Sequence, residues 1–260
     1  MLLAIDIGNS NIVLGVFDGE ELRWSWRLMT QRERTSDELG IFVAELFTHA
    51  GIERAGVTGI VLSSVVPPLT RPAVQMCRRY WNLEPLVVDP ATNTGMAVRY
   101  EPVSDVGADR VVNAVAAFEL YGKPRKAPVI AIDFGTGTTF DAITKEGEYA
   151  GGVIFPGIQI SADALFQRAA RLPRVDVRRP PSVIGHTTVT SIQAGLYYGY
   201  VALIDGVVER MRGELGEPQA VCIATGGLAE VIAKDTASIE EVNPDLTLLG
   251  LKIIWERNKK

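Results

Sequence analysis

The sequence predicts an α/β protein built from two copies of one unit, and an internal repeat with helical segments around it carries that prediction. Leu3–Phe17 (LAIDIGNSNIVLGVF) and Ile130–Ile143 (IAIDFGTGTTFDAI) align without a gap at an offset of 127 residues, Asp6 onto Asp133, close to half of the 260-residue chain. Each copy is a β-branched run ending in Asp-x-Gly, a polar turn, and a second apolar run, which reads as strand, turn and strand. Between and after the copies lie stretches with apolar residues at helical spacing.

Taken in order, Asp37–Ala50 reads as a helix through Leu39, Val43, Leu46 and Phe47. Gly59–Val66 reads as a strand stopped by Pro67-Pro68, and Leu86–Val88 as another strand before Asp89-Pro90. Ser104–Leu120 reads as a helix capped by Ser104 or Asp105, with an apolar stripe through Val111, Val112, Val115, Ala116 and Phe118. Gly122-Lys123-Pro124 breaks the chain before the second copy, so the domains are expected at 1–122 and 123–260. In the second half, Tyr149–Ile158 is a strand whose glycines and proline suit a close backbone approach. Ser161–Ala170 is helical, and Leu172–Pro181 is a basic, proline-rich connection. A long helix follows within Thr187–Val208, and Val221–Ala224 is a strand feeding Gly226-Gly227 and a further helix. The last helix, Leu248–Asn258, has the first domain as one candidate packing partner.

Composition excludes several classes. With 26 Lys and Arg against 31 Asp and Glu, the net charge is −5, which argues against nucleic acid as a partner. Leu2–Phe17 is interrupted by Asp6, Asn9, Ser10 and Asn11, so no run approaches the roughly 18 apolar residues that a membrane span needs. No basic segment precedes it as in a secretory leader, and a cytoplasmic location is expected. Cys77 and Cys222 read as reduced, buried thiols, and with His49 and His186 isolated no zinc set is apparent.

A turn bearing Gly, Ser, Thr and Asn presents N–H groups and hydroxyls to one point, which suits an anion. The Asp before it would repel a phosphate unless a divalent cation such as Mg²⁺ lay between them. No GxxxxGK[ST] string is present, and the GxG at Gly135–Gly137 lacks the third glycine and the helix of a dinucleotide fingerprint. Phosphoryl transfer also needs a carboxylate to take the acceptor's proton. Asp6, Asp109 and Asp133 form a candidate set, with Asp141 and Asp163 as rivals. Asp109 has a plainer alternative as complement to a helix macrodipole. Its neighbours Gly107, Ala108 and Arg110 favour a substrate, since they clear the approach and supply a guanidinium for a carboxylate.

Together, Asp6–Asn11, Tyr100 upstream of Gly107-Ala108-Asp109-Arg110, Asp133–Thr139, Gly151–Gly157 (GGVIFPG) and Thr188–Gly195 (TVTSIQAG) resemble the type III pantothenate kinase family. The resemblance implies two duplicated ribonuclease-H-like domains of the actin-like ATPase kind with ATP in the cleft, and transfer of the ATP γ-phosphate to the primary hydroxyl of pantothenate. By the same resemblance Asp6, Ile7, Gly8, Asn9, Ser10, Asn11, Ile12 and Val13 would hold the ATP phosphates, with Asp6 near Mg²⁺ and Thr136 also contacting ATP. Asp109 would be the proton acceptor. Tyr100, Gly107, Ala108, Asp109, Arg110 and Thr188 would contact pantothenate, and Asp133 would bind a monovalent cation, K⁺ or NH₄⁺. Gly226-Gly227 would lie on the adenosine side, and members are homodimers. Ser10 stands where many members have Thr, and Gly137 where Ala is frequent. The competing readings are a transcriptional accessory factor, expected to lose the carboxylates, and a kinase of the same superfamily acting on a sugar or acetate, against which the short chain and the Gly-Ala-Asp-Arg segment count.

Overall fold

The computed structural model describes residues 1–259, and its first repeat copy is β1 (Leu2–Ile7) and β2 (Asn11–Asp18), paired antiparallel. The chain turns back through β3 (Glu21–Met29), while β4 (Gly59–Ser64) lies parallel to β1 on its other side and β5 (Leu86–Val87) closes the edge. In the second half, β6 (Val129–Phe134), β7 (Gly137–Ile143), β8 (Tyr149–Pro156), β9 (Val221–Gly226) and β10 (Glu241–Val242) repeat the plan. The sheet orders β3-β2-β1-β4-β5 and β8-β7-β6-β9-β10 correspond strand for strand, so the duplication covers whole five-stranded sheets.

The gapless alignment fails at the turn. Asp6 pairs with Val13 but Asp133 pairs with Thr139, so the second turn is one residue shorter. Gly8 N–H closes the first turn on Asn11 O at 2.9 Å, and Gly135 N–H closes the second on Gly137 O at 3.0 Å.

The helices are α1 (Ser36–His49), α2 (Pro67–Trp81), α3 (Ala108–Ala117), α4 (Lys123–Arg125), α5 (Ile158–Arg168), α6 (Thr188–Leu215), α7 (Ala229–Ile232) and α8 (Leu246–Asn258). Thr35 starts α1 with a capping box to Glu38, worth about 1 kcal/mol. The sequence predicts Pro67-Pro68 only as a stop, whereas both prolines open α2, where the missing N–H groups have no helical acceptor to lose. α3 begins at Ala108 rather than Ser104, because Val103–Asp105 forms a separate 3₁₀ turn and neither Ser104 nor Asp105 caps the helix. Helical geometry also runs past the expected break at Gly122-Lys123-Pro124, through a π turn and α4, and ends at Lys126 with φ 52°.

Two compact units result. The first holds Met1–Met96, Glu101–Ala116 and the segment from Thr247 onward; the second holds Ala97–Tyr100 and Ala117–Leu246. Ile5, Leu14 and Leu62 form the first core with Phe47 of α1 and Trp81 of α2, whose rings meet at 5.6 Å. α8 belongs to this unit. Its Thr247 hydroxyl donates to Asn113 at 2.7 Å, and its buried Lys252 reaches Glu20 at 2.5 Å and Glu256 at 2.9 Å. The second core joins Ile130, Ile132 and Phe140 to Tyr197 and Ile204 of α6. Val175, within the Leu172–Pro181 connection, is buried in that core, so this segment is anchored rather than wholly solvated.

Candidate active site

In the first unit, Asp6 stands one residue before the end of β1, beside Ser63 on the parallel neighbour β4. The fully buried Ser63 hydroxyl donates to Asp6 Oδ1. Burial pushes the Asp6 carboxyl up to about 7, against the lowering effect of that hydrogen bond, and the nearby charge of Asp109 adds to the rise. The turn beyond it is clamped from β3, since Thr30 donates its hydroxyl to Gly8 O at 2.7 Å and its N–H to Ser10 O at 3.0 Å. Ile7 and Ile12 are buried in the core, so any contact they make with a phosphate goes through backbone, while Asn9 and Ser10 are exposed at the tip.

Asp109 is in the first turn of α3 and half-buried. Desolvation raises its carboxyl above the usual range, against the lowering effects of the Arg110 backbone N–H and guanidinium. That N–H donates to Oδ1 at 2.8 Å and fixes the rotation of the carboxyl. A Cβ added at Gly107 would lie 2.6 Å from the same oxygen, so a larger residue there would push the carboxyl off its hydrogen bond. Arg110 is buried.

The second unit repeats the arrangement around Asp133, which pairs with Thr225 of β9 as Asp6 pairs with Ser63. Gly226 has φ 94°, and a Cβ on it would stand 2.6 Å from Asp133 Oδ1. The tip of this turn is clamped from the residue after β8, as the first is from the residue after β3: Gly157 N–H donates to Thr136 O at 3.1 Å. Thr188 is the first residue of α6, behind a capping box between Thr187 and Thr190. It lines an open cavity of about 750 Å³ together with Leu165, His186 and Ile192. Tyr100 lies in this unit, half-buried against Tyr149. Of the rival carboxylates, Asp141 is buried and accepts from the Tyr149 hydroxyl at 2.7 Å, and Asp163 pairs with Arg174 at 3.0 Å.

The structure thus places Asp6 and Asp109 in one unit, near enough for the charge of Asp109 to act on Asp6, and packs Gly226 against Asp133 in the other. Ser63 and Thr30 are not among the residues the sequence singles out, whereas Gly157 closes the Gly151–Gly157 motif. Ser63 carried one signal, a hydroxyl pair closing the apolar run Gly59–Ser64.

Two five-stranded sheets of one topology, each with an Asp closing its central strand before a polar hairpin turn, define the architecture of the actin-like ATPases and their kinase relatives. Solved structures of that architecture match over nearly the whole chain. A Baf family protein from Campylobacter jejuni superposes with a TM-score of 0.61 at 18% identity, covering 98% of each chain. An inorganic polyphosphate/ATP-glucomannokinase from Arthrobacter sp. strain KM superposes with a TM-score of 0.51 at 16% identity, covering 99% of each. The family model for type III pantothenate kinase matches residues 2–210. The type III pantothenate kinase of Myxococcus xanthus is 54% identical over 99% of each chain, and that of Geotalea uraniireducens 52% identical over 100% of each. The chain belongs to the type III pantothenate kinase family.

Proposed function

We propose that this protein transfers the γ-phosphate of ATP to the primary hydroxyl of pantothenate, giving 4′-phosphopantothenate for coenzyme A synthesis. The observation that carries the reading is the placement of Asp6 and Asp109 in one unit, two carboxyls raised by burial with the charge of Asp109 felt at Asp6, in a chain more than 50% identical from end to end to named pantothenate kinases. Membership of a kinase family implies ATP and a divalent ion.

A divalent ion fits at Asp6. Its carboxyl is desolvated and feels the charge of Asp109, an arrangement that favours a cation in place of the proton otherwise held near neutral pH. Such an ion neutralises charge on the transferred phosphoryl group. The chain does the rest. Thr30 holds the Gly8–Asn11 turn by the carbonyls of Gly8 and Ser10, and that turn would take the phosphates. Asp109 takes the proton of the pantothenate hydroxyl, and its raised carboxyl is a better base than an exposed one. Arg110 N–H keeps that carboxyl in one rotamer, and the Arg110 guanidinium suits the carboxylate of pantothenate. In the second unit, Asp133 beside Thr225 is assigned to K⁺ or NH₄⁺, Thr136 to ATP, and Tyr100 and Thr188 to pantothenate. The homodimer has a candidate surface in the exposed Ile154, Phe155, Ile160, Leu165 and Phe166 of β8 and α5. Sedimentation at micromolar concentration reads the stoichiometry, and a monomer would remove that assignment.

The test of substrate is ADP release with pantothenate, glucose, glycerol and acetate compared side by side. Release with pantothenate alone is expected; release with glucose or acetate instead would move the protein to another branch of the fold.

A further inference from the structure

The strand face that carries Asp133 also carries a buried polar chain that phosphoryl transfer does not use. On β7, Thr139 pairs across to Asp133 and Asp141 pairs across to Ala131, so the two side chains share one face. Asp141 is 1% exposed, accepts from the Tyr149 hydroxyl at 2.7 Å, and takes a weaker bond from Thr139 at 3.4 Å. Tyr149, itself fully buried, opens β8.

A second connection runs outward from Tyr149 to a segment that comes from the first half of the sequence. Tyr149 N–H donates to Ala97 O and Arg99 N–H donates to Tyr149 O, both at 2.8 Å, making a parallel bridge between Val98 and Tyr149. The Arg99 guanidinium pairs with Glu148. The rings of Tyr149 and Tyr100 lie 6.4 Å apart at 60°, within the range of interacting aromatic pairs. Tyr100, assigned above to pantothenate, therefore has its backbone and its ring both set by the residue at the start of β8.

A carboxylate in a sheet interior is unfavourable unless it is hydrogen-bonded, and a Phe at position 149 would fill the same core without one. The geometry points to Asp141 and Tyr149 as positioning residues for Tyr100 that set the affinity for pantothenate. Asp141 fixes the phenol of Tyr149, the Tyr149 ring sets the angle of the Tyr100 ring, and the bridge at residues 97–99 fixes the backbone that presents it. The inference rests on the kinase reading given above, and it separates substrate affinity from the chemistry at Asp6 and Asp109.

The experiment is a double-mutant cycle on the full chain, reading kcat and both KM values for wild type, Tyr149→Phe, Tyr100→Ala and the double variant. Loss of one buried hydrogen bond should raise the KM for pantothenate about fivefold in Tyr149→Phe. The KM for ATP and kcat should stay within about twofold, and Tyr149→Phe should add little to Tyr100→Ala because the two act in series. A merely structural residue would instead raise both KM values, or add in full to Tyr100→Ala, and either result overturns the inference. So does an unchanged KM for pantothenate in either folded single variant. If Tyr149→Phe does not fold, Asp141→Leu, which removes the acceptor of the phenol, replaces it in the cycle with the same expected rise of about fivefold; no rise there overturns the inference. A wild type that binds ATP and leaves pantothenate unphosphorylated overturns the kinase reading, and this inference with it.

Discussion

Asp6→Asn should stabilise the ligand-free protein in alkaline solution while abolishing phosphoryl transfer. The Asp6 carboxyl rises from 3.8 to about 7 on folding, so between those values the folded state holds a proton that the unfolded state has lost. Stability therefore falls as pH rises through that window and is lowest above about 7. At about 1.4 kcal/mol per pH unit, the full shift corresponds to about 4 kcal/mol, a ceiling for a half-buried group with access to water. Asn keeps an oxygen for the Ser63 hydroxyl and carries no charge to desolvate. The variant should thus gain on wild type by about 1–3 kcal/mol between pH 5 and pH 8, a shift in Tm of several degrees. The assay is thermal unfolding of both proteins in EDTA across that pH range, followed by addition of Mg²⁺ and ATP at pH 8. Ligand should then raise the Tm of wild type more than that of the variant. A stability difference independent of pH, or a wild type more stable than the variant at pH 8 without ligand, would refute the assignment of Asp6 as a carboxylate held against its own desolvation.

Asp109→Asn should lower kcat by roughly a hundredfold or more and leave stabilisation by ATP in place, read by single-turnover kinetics and thermal shift. Near-normal kcat would remove Asp109 as the base. Gly226→Ala puts a methyl group 2.6 Å from Asp133 Oδ1 at φ 94°, so it should lower stability by about 1–3 kcal/mol and blunt activation by K⁺; a full K⁺ response in a folded variant would separate Gly226 from the cation assignment. Gly107→Ala, crowding Asp109 Oδ1, should reduce kcat with little change in the KM for ATP, as steady-state rates will read. Cys77 and Cys222 are buried, with thiols pushed up to about 12, so a thiol reagent at pH 8 should modify neither until denaturant is added.

The two hairpins were legible in the sequence because Asp-x-Gly followed by small polar residues interrupts otherwise continuous apolar runs, and a turn is the local solution to that pattern. The long α6 was legible for a similar reason, its apolar residues holding helical spacing over many turns. The start of α2 was not, since Pro67-Pro68 ends a strand and opens a helix with equal ease, and only the chain beyond decides. The gapless repeat concealed a turn one residue shorter, because strand sequences fix which residues pair poorly when both flanks are apolar. At the site, the carboxylates were visible by type and position. Their supports were not: Ser63 lies 57 residues along the chain from Asp6 and Thr30 22 residues from Gly8, and strand order brings them there.

The most direct measurement is mass-spectrometric detection of 4′-phosphopantothenate from purified protein supplied with pantothenate, ATP and Mg²⁺, in K⁺ and separately in Na⁺ alone. Product formed in K⁺ and sharply reduced in Na⁺ is the predicted result. No product in either salt, from folded protein that still binds ATP, would contradict the assignment of pantothenate as the phosphoryl acceptor.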